Sequence, residues 1–245
     1  ADHLVPERVW KETERALMES SPGVFFSVLH ECGALGRVMP ELAALSGVPQ
    51  RADYHPEVDT FVHTRMCVDA AARAELVLDV RVATLLHDLG KGATPSEEWP
   101  RHHMHEHRGV PLVRAFCERL RVPAAMRDLA LAVTRDHLNV HRARELRPAT
   151  LLELLERFDA FRKPARFELA LQACECDARG RLGFEDAPYP QTDYLRAAAR
   201  AATVSNAAVM ADGFTGPAIG EEIGRRRLAQ LTAWKPTVSS TGGTP

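Results

Sequence analysis

The sharpest chemical feature of this sequence is the adjacent pair His87 and Asp88, which ends the apolar stretch 80–89. An imidazole beside a carboxylate offers the nitrogen and oxygen ligands that divalent metals take in proteins. Gly90, Lys91 and Gly92 follow at once, and a lysine fixed in such a turn is suited to neutralise charge on a phosphate. The pattern predicts a metal site that acts on phosphate.

Apolar spacing predicts the helices that hold these side chains. The stripe at positions 82, 85, 86 and 89 has the spacing of one helix face, with Asp79 as the expected cap and Gly90 as the expected stop. His87 and Asp88 are therefore expected in the last turn of that helix. His63 is expected to face inward from a second helix that begins near Thr60.

Two further histidines are expected at the same centre. His137 continues an apolar stripe at positions 126, 130 and 133, with His141 one turn further on. The segment 99–109 is expected to be a loop that enters another helix, and His105 is its preferred inward residue because Gly109 permits close helix approach. A single inward histidine is more often a hydrogen-bonded core residue, whereas several on different helices, with a carboxylate, favour a metal site inside a helix bundle.

The whole chain shows helical periodicity and no sustained alternation, which predicts an all-α protein. With 45% hydrophobic and 26% charged residues it is typical of a soluble globular protein. Apolar runs too short for a bilayer and the lack of a leader predict a cytoplasmic protein with no membrane contact. Five cysteines without Cys-x-x-Cys spacing indicate reduced thiols.

Composition and turn residues divide the chain into four expected units. These are a helical body segment at 1–50, a central domain at 51–182, a helical tail at 183–235 and a disordered tail at 236–245. Basic side chains cluster within 142–147, 162–166, 179–181 and 225–227. Such clusters suit contacts to a phosphate backbone, and solvated helix faces remain an equal alternative for each one.

His63 together with the run His87-Asp88-Leu89-Gly90-Lys91 resembles the HD superfamily of metal-dependent phosphohydrolases. These are all-α domains defined by a His, a His-Asp pair and a later Asp. The resemblance implies an HD-domain helical bundle flanked by helical body and tail segments. It also implies a divalent metal, among which sequence leaves Mg, Mn, Ni and Co open.

Four further segments resemble the carboxyl-terminal region of the bacterial CCA-adding enzymes, a tRNA nucleotidyltransferase family: 97–103, 108–113, 158–164 and 177–181. The resemblance runs from about Leu4 to Lys235. It implies phosphatase, 2′-nucleotidase and 2′,3′-cyclic phosphodiesterase activities, with tRNA and 2′- or cyclic-phosphate nucleotides as partners. The chain has no Asp-x-Asp pair and begins without methionine, so we expect a piece that lacks the nucleotidyltransferase head.

The fourth metal ligand departs from the family pattern. The family's last aspartate is expected at about position 156, where this chain has Glu156, while periodicity places Asp159 beside the apolar stripe. The expected ligands are therefore His63, His87, Asp88 and either Glu156 or Asp159. Asp177 shares a face with apolar residues, and a nearby arginine is its expected partner.

The expected catalytic groups are Asp88, Lys91, His105 and His137. Lys91 would neutralise phosphate charge, whereas His105 and His137 would complete a second metal position or act as acid and base. Two alternatives stay open. One is a tRNA-binding body and tail whose HD site is dispensable, and the other is a degenerate HD scaffold.

Overall fold

A computed structural model describes residues 5–235, and within that range the chain is helical, without a β-strand. An isolated antiparallel bridge joins Pro49 and Asp59. The all-α prediction is therefore confirmed. The expected disordered tail, 236–245, lies outside the described residues.

The helices vary from a single turn to about five turns. In chain order they are α1 (Pro6–Leu17), α2 (Pro22–Glu31), α3 (Leu35–Val38), α4 (Pro40–Ala43), α5 (Thr60–Arg73), α6 (Leu78–Leu86), α7 (His105–Leu120), α8 (Ala124–His141), α9 (Pro148–Arg157), α10 (Pro164–Arg179), α11 (Gln191–Ala201), α12 (Asn206–Ala211) and α13 (Pro217–Ala233). Short 3₁₀ helices span Leu89–Ala93, Ser96–Glu98 and Ala143–Glu145. No helix within residues 5–235 is long and apolar enough to span a bilayer.

Helix α6 lies at the centre of the bundle, where it packs against α5, α8 and α10. Every residue from Val80 to Leu86 is buried, and burying each large aliphatic side chain contributes about 1.5–3 kcal/mol. The one charged member, Arg81, donates to the carbonyls of Leu17 and Leu76. A helix buried on all sides delivers its carboxyl end, and the His-Asp pair that follows, into the interior.

Three helix boundaries bear on the sequence expectations. Helix α5 begins at Thr60 as expected, and the carboxylate of Asp59 caps it by accepting from the amide of Val62 at 2.8 Å. The expected Asp79 cap is wrong, because α6 begins at Leu78 and Asp79 lies in its first turn. The loop expected over 99–109 ends earlier, because α7 already begins at His105 and Pro111 lies inside that helix.

Two glycines let separate elements approach one another closely. A Cβ at Gly90 would lie 1.8 Å from the carbonyl oxygen of His105, and one at Gly109 would lie 2.7 Å from Cγ2 of Thr134. The Leu89–Ala93 helix, α7 and α8 are therefore in near backbone contact. This contact brings the residues that follow α6 against the histidines of α7 and α8.

Candidate metal centre

One group of potential ligand atoms lies between α5, the end of α6, and α10. His63 Nε2 is 3.0 Å from Asp177 Oδ1, and His87 Nε2 is 3.5 Å from the same oxygen. The thiol of Cys67 completes a set whose ligand atoms all lie within 4.8 Å of one another. All four residues are buried, so each polar atom here needs a partner inside the protein. We call His63, His87 and Asp177 the first group.

A second group is formed by Asp88, His105 of α7 and His137 of α8. His105 Nε2 is 3.2 Å from Asp88 Oδ1 and 3.2 Å from His137 Nε2, and His137 Nε2 is 3.6 Å from that oxygen. The two groups adjoin, since His87 Nε2 is 3.2 Å from Asp88 Oδ2. Six side chains from five parts of the chain thus meet in one buried centre.

The backbone fixes the tautomers of three of these histidines. Nδ1 of His87 donates to the Thr84 carbonyl at 2.7 Å, Nδ1 of His105 to the His102 carbonyl at 3.0 Å, and Nδ1 of His137 to the Thr134 carbonyl at 3.1 Å. A carbonyl can only accept, so each Nδ1 carries the proton. In the neutral rings each Nε2 is therefore a lone-pair acceptor that points into the centre.

Acceptors that face one another need a cation between them, and the residues present fit a divalent metal on this ground. His87 Nε2 and Asp88 Oδ1 are buried without a hydrogen-bond partner in the described part of the chain. The short distances from His87 Nε2 to Asp88 and from His105 to Asp88 lack hydrogen-bond geometry in that part. Imidazole nitrogen and carboxylate oxygen together suit Mn, Ni, Co and Fe, and oxygen-rich coordination suits Mg.

The charges of the centre shift its pKa values strongly. Burial alone raises the pKa of Asp88, but His87 and Lys91 outweigh it and hold that pKa well below its usual range. Burial likewise opposes the cationic form of His87, yet Asp88 and Asp177 raise its pKa to about 10. Burial lowers the pKa of His137 to about 3. Perturbation of this size in a cluster is typical of functional sites.

Lys91 lies at the centre but is turned toward protein groups. Its ammonium donates to Asp88 Oδ2 at 2.6 Å and to Gln50 Oε1, and the residue is only 7% exposed. The structure therefore places it as a partner of Asp88. Two of its three N–H donors are engaged in this way, so the expected contact to a substrate phosphate would use the third.

Glu156 and Asp159 lie outside both groups. Glu156 is half-exposed and pairs with Arg227 at 3.4 Å, while Asp159 accepts from Arg162 at 2.7 Å in the turn after α9. The expected arginine partner of Asp177 is wrong, because the Asp177 carboxylate contacts the side chains of His63 and His141 instead. The carboxylate that belongs to the first group is thus that of Asp177 in α10.

Sequence reasoning missed four residues at the edge of the centre. Glu57 Oε1 accepts from His63 Nδ1 at 2.9 Å and from His55 Nδ1 at 3.1 Å. His141 Nε2 donates to Asp177 Oδ2 at 2.7 Å, and Tyr189 contacts the other nitrogen of His141. His55 and Glu57 lie in an irregular connector, where periodicity carries no information about facing. The short spacing between His55 and Glu57 in that connector was the one sequence feature that could have pointed to their place at the centre.

The four basic clusters differ in how far they are neutralised. Arg225 and Arg226 both pair with Glu222, and members of the clusters at 162–166 and 179–181 pair with Asp159 and Glu175. Arg142, Arg144 and Arg147 are exposed, and none has an ion-pair partner within residues 5–235. This last cluster, after α8, is the least compensated.

Comparison with known proteins identifies two family models in the chain. The model described as "HD domain" matches residues 60–163, and the model described as "Probable RNA and SrmB-binding site of polymerase A" matches residues 2–45. Asp177 and Tyr189 follow the end of the HD match. The site described above therefore draws on residues beyond that match.

Curated relatives match almost the whole chain. The chain is 56% identical to a Multifunctional CCA protein of Thioalkalivibrio sulfidiphilus over 235 residues. The matched region is 96% of this chain and 58% of the relative. Identity is 58% over 233 residues to the Alkalilimnicola ehrlichii protein of the same name, covering 95% and 56%. For the Nitrosococcus oceani protein it is 56% over 232 residues, covering 94% and 57%. The chain thus spans somewhat more than half the length of these relatives.

Proposed function

We propose that this chain, which belongs to the HD-domain family and is related over most of its length to multifunctional CCA proteins, is a metal-dependent phosphohydrolase. The observation that supports it best is the convergence of acceptor atoms. Nδ1 of His87, His105 and His137 is anchored on the backbone, so in the neutral rings each Nε2 presents a lone pair toward the carboxylates of the centre. A divalent cation would satisfy these atoms, among which His87 Nε2 and Asp88 Oδ1 are buried without a hydrogen-bond partner in the described part of the chain.

The two groups define the proposed ligands. His63, His87 and Asp177 would hold one divalent metal, and Asp88, His105 and His137 would hold a neighbouring one. When bound, such a metal polarises a phosphoryl oxygen and lowers the pKa of a water molecule. The metal is one of Mg, Mn, Ni or Co in our proposal, and the hydrolase unit comprises the predicted domain 51–182 with the adjoining segment through Gln191.

The chain's own residues orient this centre and limit access to it. Lys91 and Gln50 keep the Asp88 carboxylate in place, and Glu57 holds His63 from behind. Among the histidines and carboxylates described at this centre, His141 and His55 have the most exposed side chains, at 25% and 18%. A phosphate would therefore approach along this edge, next to the ligands of the first group.

The substrate class in this proposal is a ribose 2′-phosphate or 2′,3′-cyclic phosphate, with simple phosphate esters as further substrates. The support is the resemblance carried by segments 97–103 and 177–181, together with the relatives named above. Segment 177–181 opens with Asp177, so the residues that carry the resemblance also build the centre. The narrow exposed edge favours a terminal or cyclic phosphate over one inside a duplex.

Hydrolysis of 2′,3′-cyclic AMP by the purified chain tests this function. The rate is measured with Mg, Mn, Ni or Co added to chelator-treated protein, for the wild type and for Asp88→Ala. We expect metal-dependent turnover that Asp88→Ala abolishes. The matched control is Asp128→Ala, since Asp128 is an exposed carboxylate paired only locally with Arg127. A rate that is equal in the wild type and Asp88→Ala would show that the centre does not perform the reaction.

A second candidate function is tRNA binding by the body and tail. The match of residues 2–45 to an RNA-binding model and the uncompensated Arg142, Arg144 and Arg147 favour it. Phosphate contacts by arginine release counterions, so affinity falls with salt concentration. We expect tRNA binding that survives Asp88→Ala and that weakens, with a shallower salt dependence, when these three arginines become glutamine. Undetectable binding at low salt would rule this candidate out.

A further inference from the structure

A hydrogen-bonded chain leads from the turn before α11 into the first group. The hydroxyl of Tyr189 is 2.8 Å from His141 Nδ1, and His141 Nε2 is 2.7 Å from Asp177 Oδ2. Gln191 donates from Nε2 to the carbonyl oxygen of His141 at 3.1 Å. Residues from two separate parts of the chain, 189–191 and the end of α8, thus act on the carboxylate of a third.

Chemistry sets the direction of each hydrogen bond in this chain. Both Asp177 oxygens face ring nitrogens, with Oδ1 3.0 Å from His63 Nε2 and Oδ2 2.7 Å from His141 Nε2, and a carboxylate in that setting only accepts. His141 must therefore carry a proton on Nε2. Burial raises the pKa of the Tyr189 hydroxyl, so the phenol keeps its proton and can donate it to Nδ1.

We propose that Tyr189 is a positioning residue, which holds His141 in its Nε2–H tautomer and thereby fixes the orientation of Asp177 at the centre. This inference rests on the metal-binding role proposed above. Asp177 Oδ2 is engaged by His141, so Oδ1 is left to face His63 and His87. Losing an outer partner that fixes the orientation of a metal ligand typically lowers metal affinity by about tenfold to a hundredfold.

Loss of the hydroxyl removes one of the two contacts that favour the Nε2–H tautomer of His141, the other being the contact to Asp177. Without a donor at Nδ1, His141 can carry its proton on Nδ1, and its Nε2 lone pair then faces the Asp177 carboxylate. Two acceptors 2.7 Å apart repel each other, so Asp177 rotates or His141 turns away. The cost falls on the metal site rather than on the core, because the aromatic ring of Tyr189 and its packing are unchanged.

The test compares Tyr189→Phe with Tyr194→Phe. Tyr194 packs its ring on Trp234, and its hydroxyl makes no hydrogen bond within residues 5–235, so it controls for removal of a phenolic oxygen from the same region. Two quantities are measured on the full chain: the imidazole ¹⁵N chemical shifts of His141 without metal, and the affinity for Mn²⁺ by calorimetry. Urea unfolding of each variant reports whether the fold is retained.

We expect Tyr189→Phe to shift His141 toward the Nδ1–H tautomer and to weaken Mn²⁺ binding by about tenfold to a hundredfold. Tyr194→Phe should change neither quantity. An unchanged tautomer, or an unchanged affinity in a wild type that binds Mn²⁺, overturns the positioning role while the proposed function stands. A wild type that binds no divalent metal overturns the proposed function itself.

Discussion

His63 Nε2 and Asp177 Oδ1 lie 3.0 Å apart although 114 positions separate the two residues along the chain. The contact depends on close packing between α5 and the end of α10. A Cβ at Gly180 would lie 2.6 Å from Cα of Cys67, and Cys67 lies one helical turn after His63. Glycine at this position therefore lets α10 bring its carboxylate against the histidine.

Replacing Gly180 by alanine should force α10 away from α5. Backbone atoms of Cys67 cannot move aside as a flexible side chain would, so we expect a loss of about 1–3 kcal/mol in the free energy of unfolding and weaker metal binding. The control is Gly224→Ala within α13, where a Cβ meets nothing within 4 Å and should stabilise by about 0.5–1 kcal/mol. Urea unfolding measures both changes. Equal destabilisation by the two variants would contradict the packing argument.

The choice between Asp177 and Glu156 as a metal ligand is tested by isosteric amides. Asp177→Asn removes the charge that faces His63 and His87, so we expect the affinity for Mn²⁺ to fall at least about tenfold, the scale on which even an outer partner of a ligand acts. Glu156→Gln removes only a half-exposed pairing with Arg227 and should leave that affinity unchanged. Calorimetric titration of both variants gives the comparison. The opposite ranking would restore the ligand that the family pattern suggested from sequence.

Sequence reasoning succeeded where a residue's environment is set by its own helix. The inward faces of His63 and His137 follow from the apolar faces of α5 and α8, and that of His105 was preferred because Gly109 permits close helix approach; the structure buries all three histidines. The helix predicted to begin near Thr60 does begin there. Local chemistry was sufficient to predict these features.

Sequence reasoning failed to predict which acidic residue lies against the histidines, because that depends on which helices pack together. Nothing local distinguishes Asp177 from Asp159 as the acid that reaches the histidines, since each lies beside an apolar face. The packing of α10 against α5, α6 and α8 decides between them. The contact of Glu57 with His63 could not be predicted for a related reason. Glu57 lies in a connector that has no repeating pattern, so sequence spacing does not show that it reaches His63.

The second group should bind metal separably from the first. His105→Ala removes one nitrogen 3.2 Å from Asp88 Oδ1 but touches neither His63 nor Asp177. We expect this variant to lose the metal of the second group and to retain that of the first, as measured by elemental analysis of the purified protein after dialysis. His103→Ala is the control, since His103 is an exposed neighbour in the same His-rich segment. Equal metal content in His105→Ala and the wild type would show that the second group holds no metal.

Metal removal should lower the stability of the fold, because His105 Nε2 and His137 Nε2 face each other at 3.2 Å with both Nδ1 protons committed to the backbone. A ligand that binds only the folded state, at a hundredfold excess over its Kd, adds about 2.7 kcal/mol to the free energy of unfolding. We expect that increment when Mn²⁺ is added to chelator-treated wild type, and a smaller one for Asp88→Ala, whose second group lacks its carboxylate. Asp128→Ala should respond as the wild type does. Urea midpoints that are the same with Mn²⁺ and with chelator would show that the buried acceptors are satisfied without a metal.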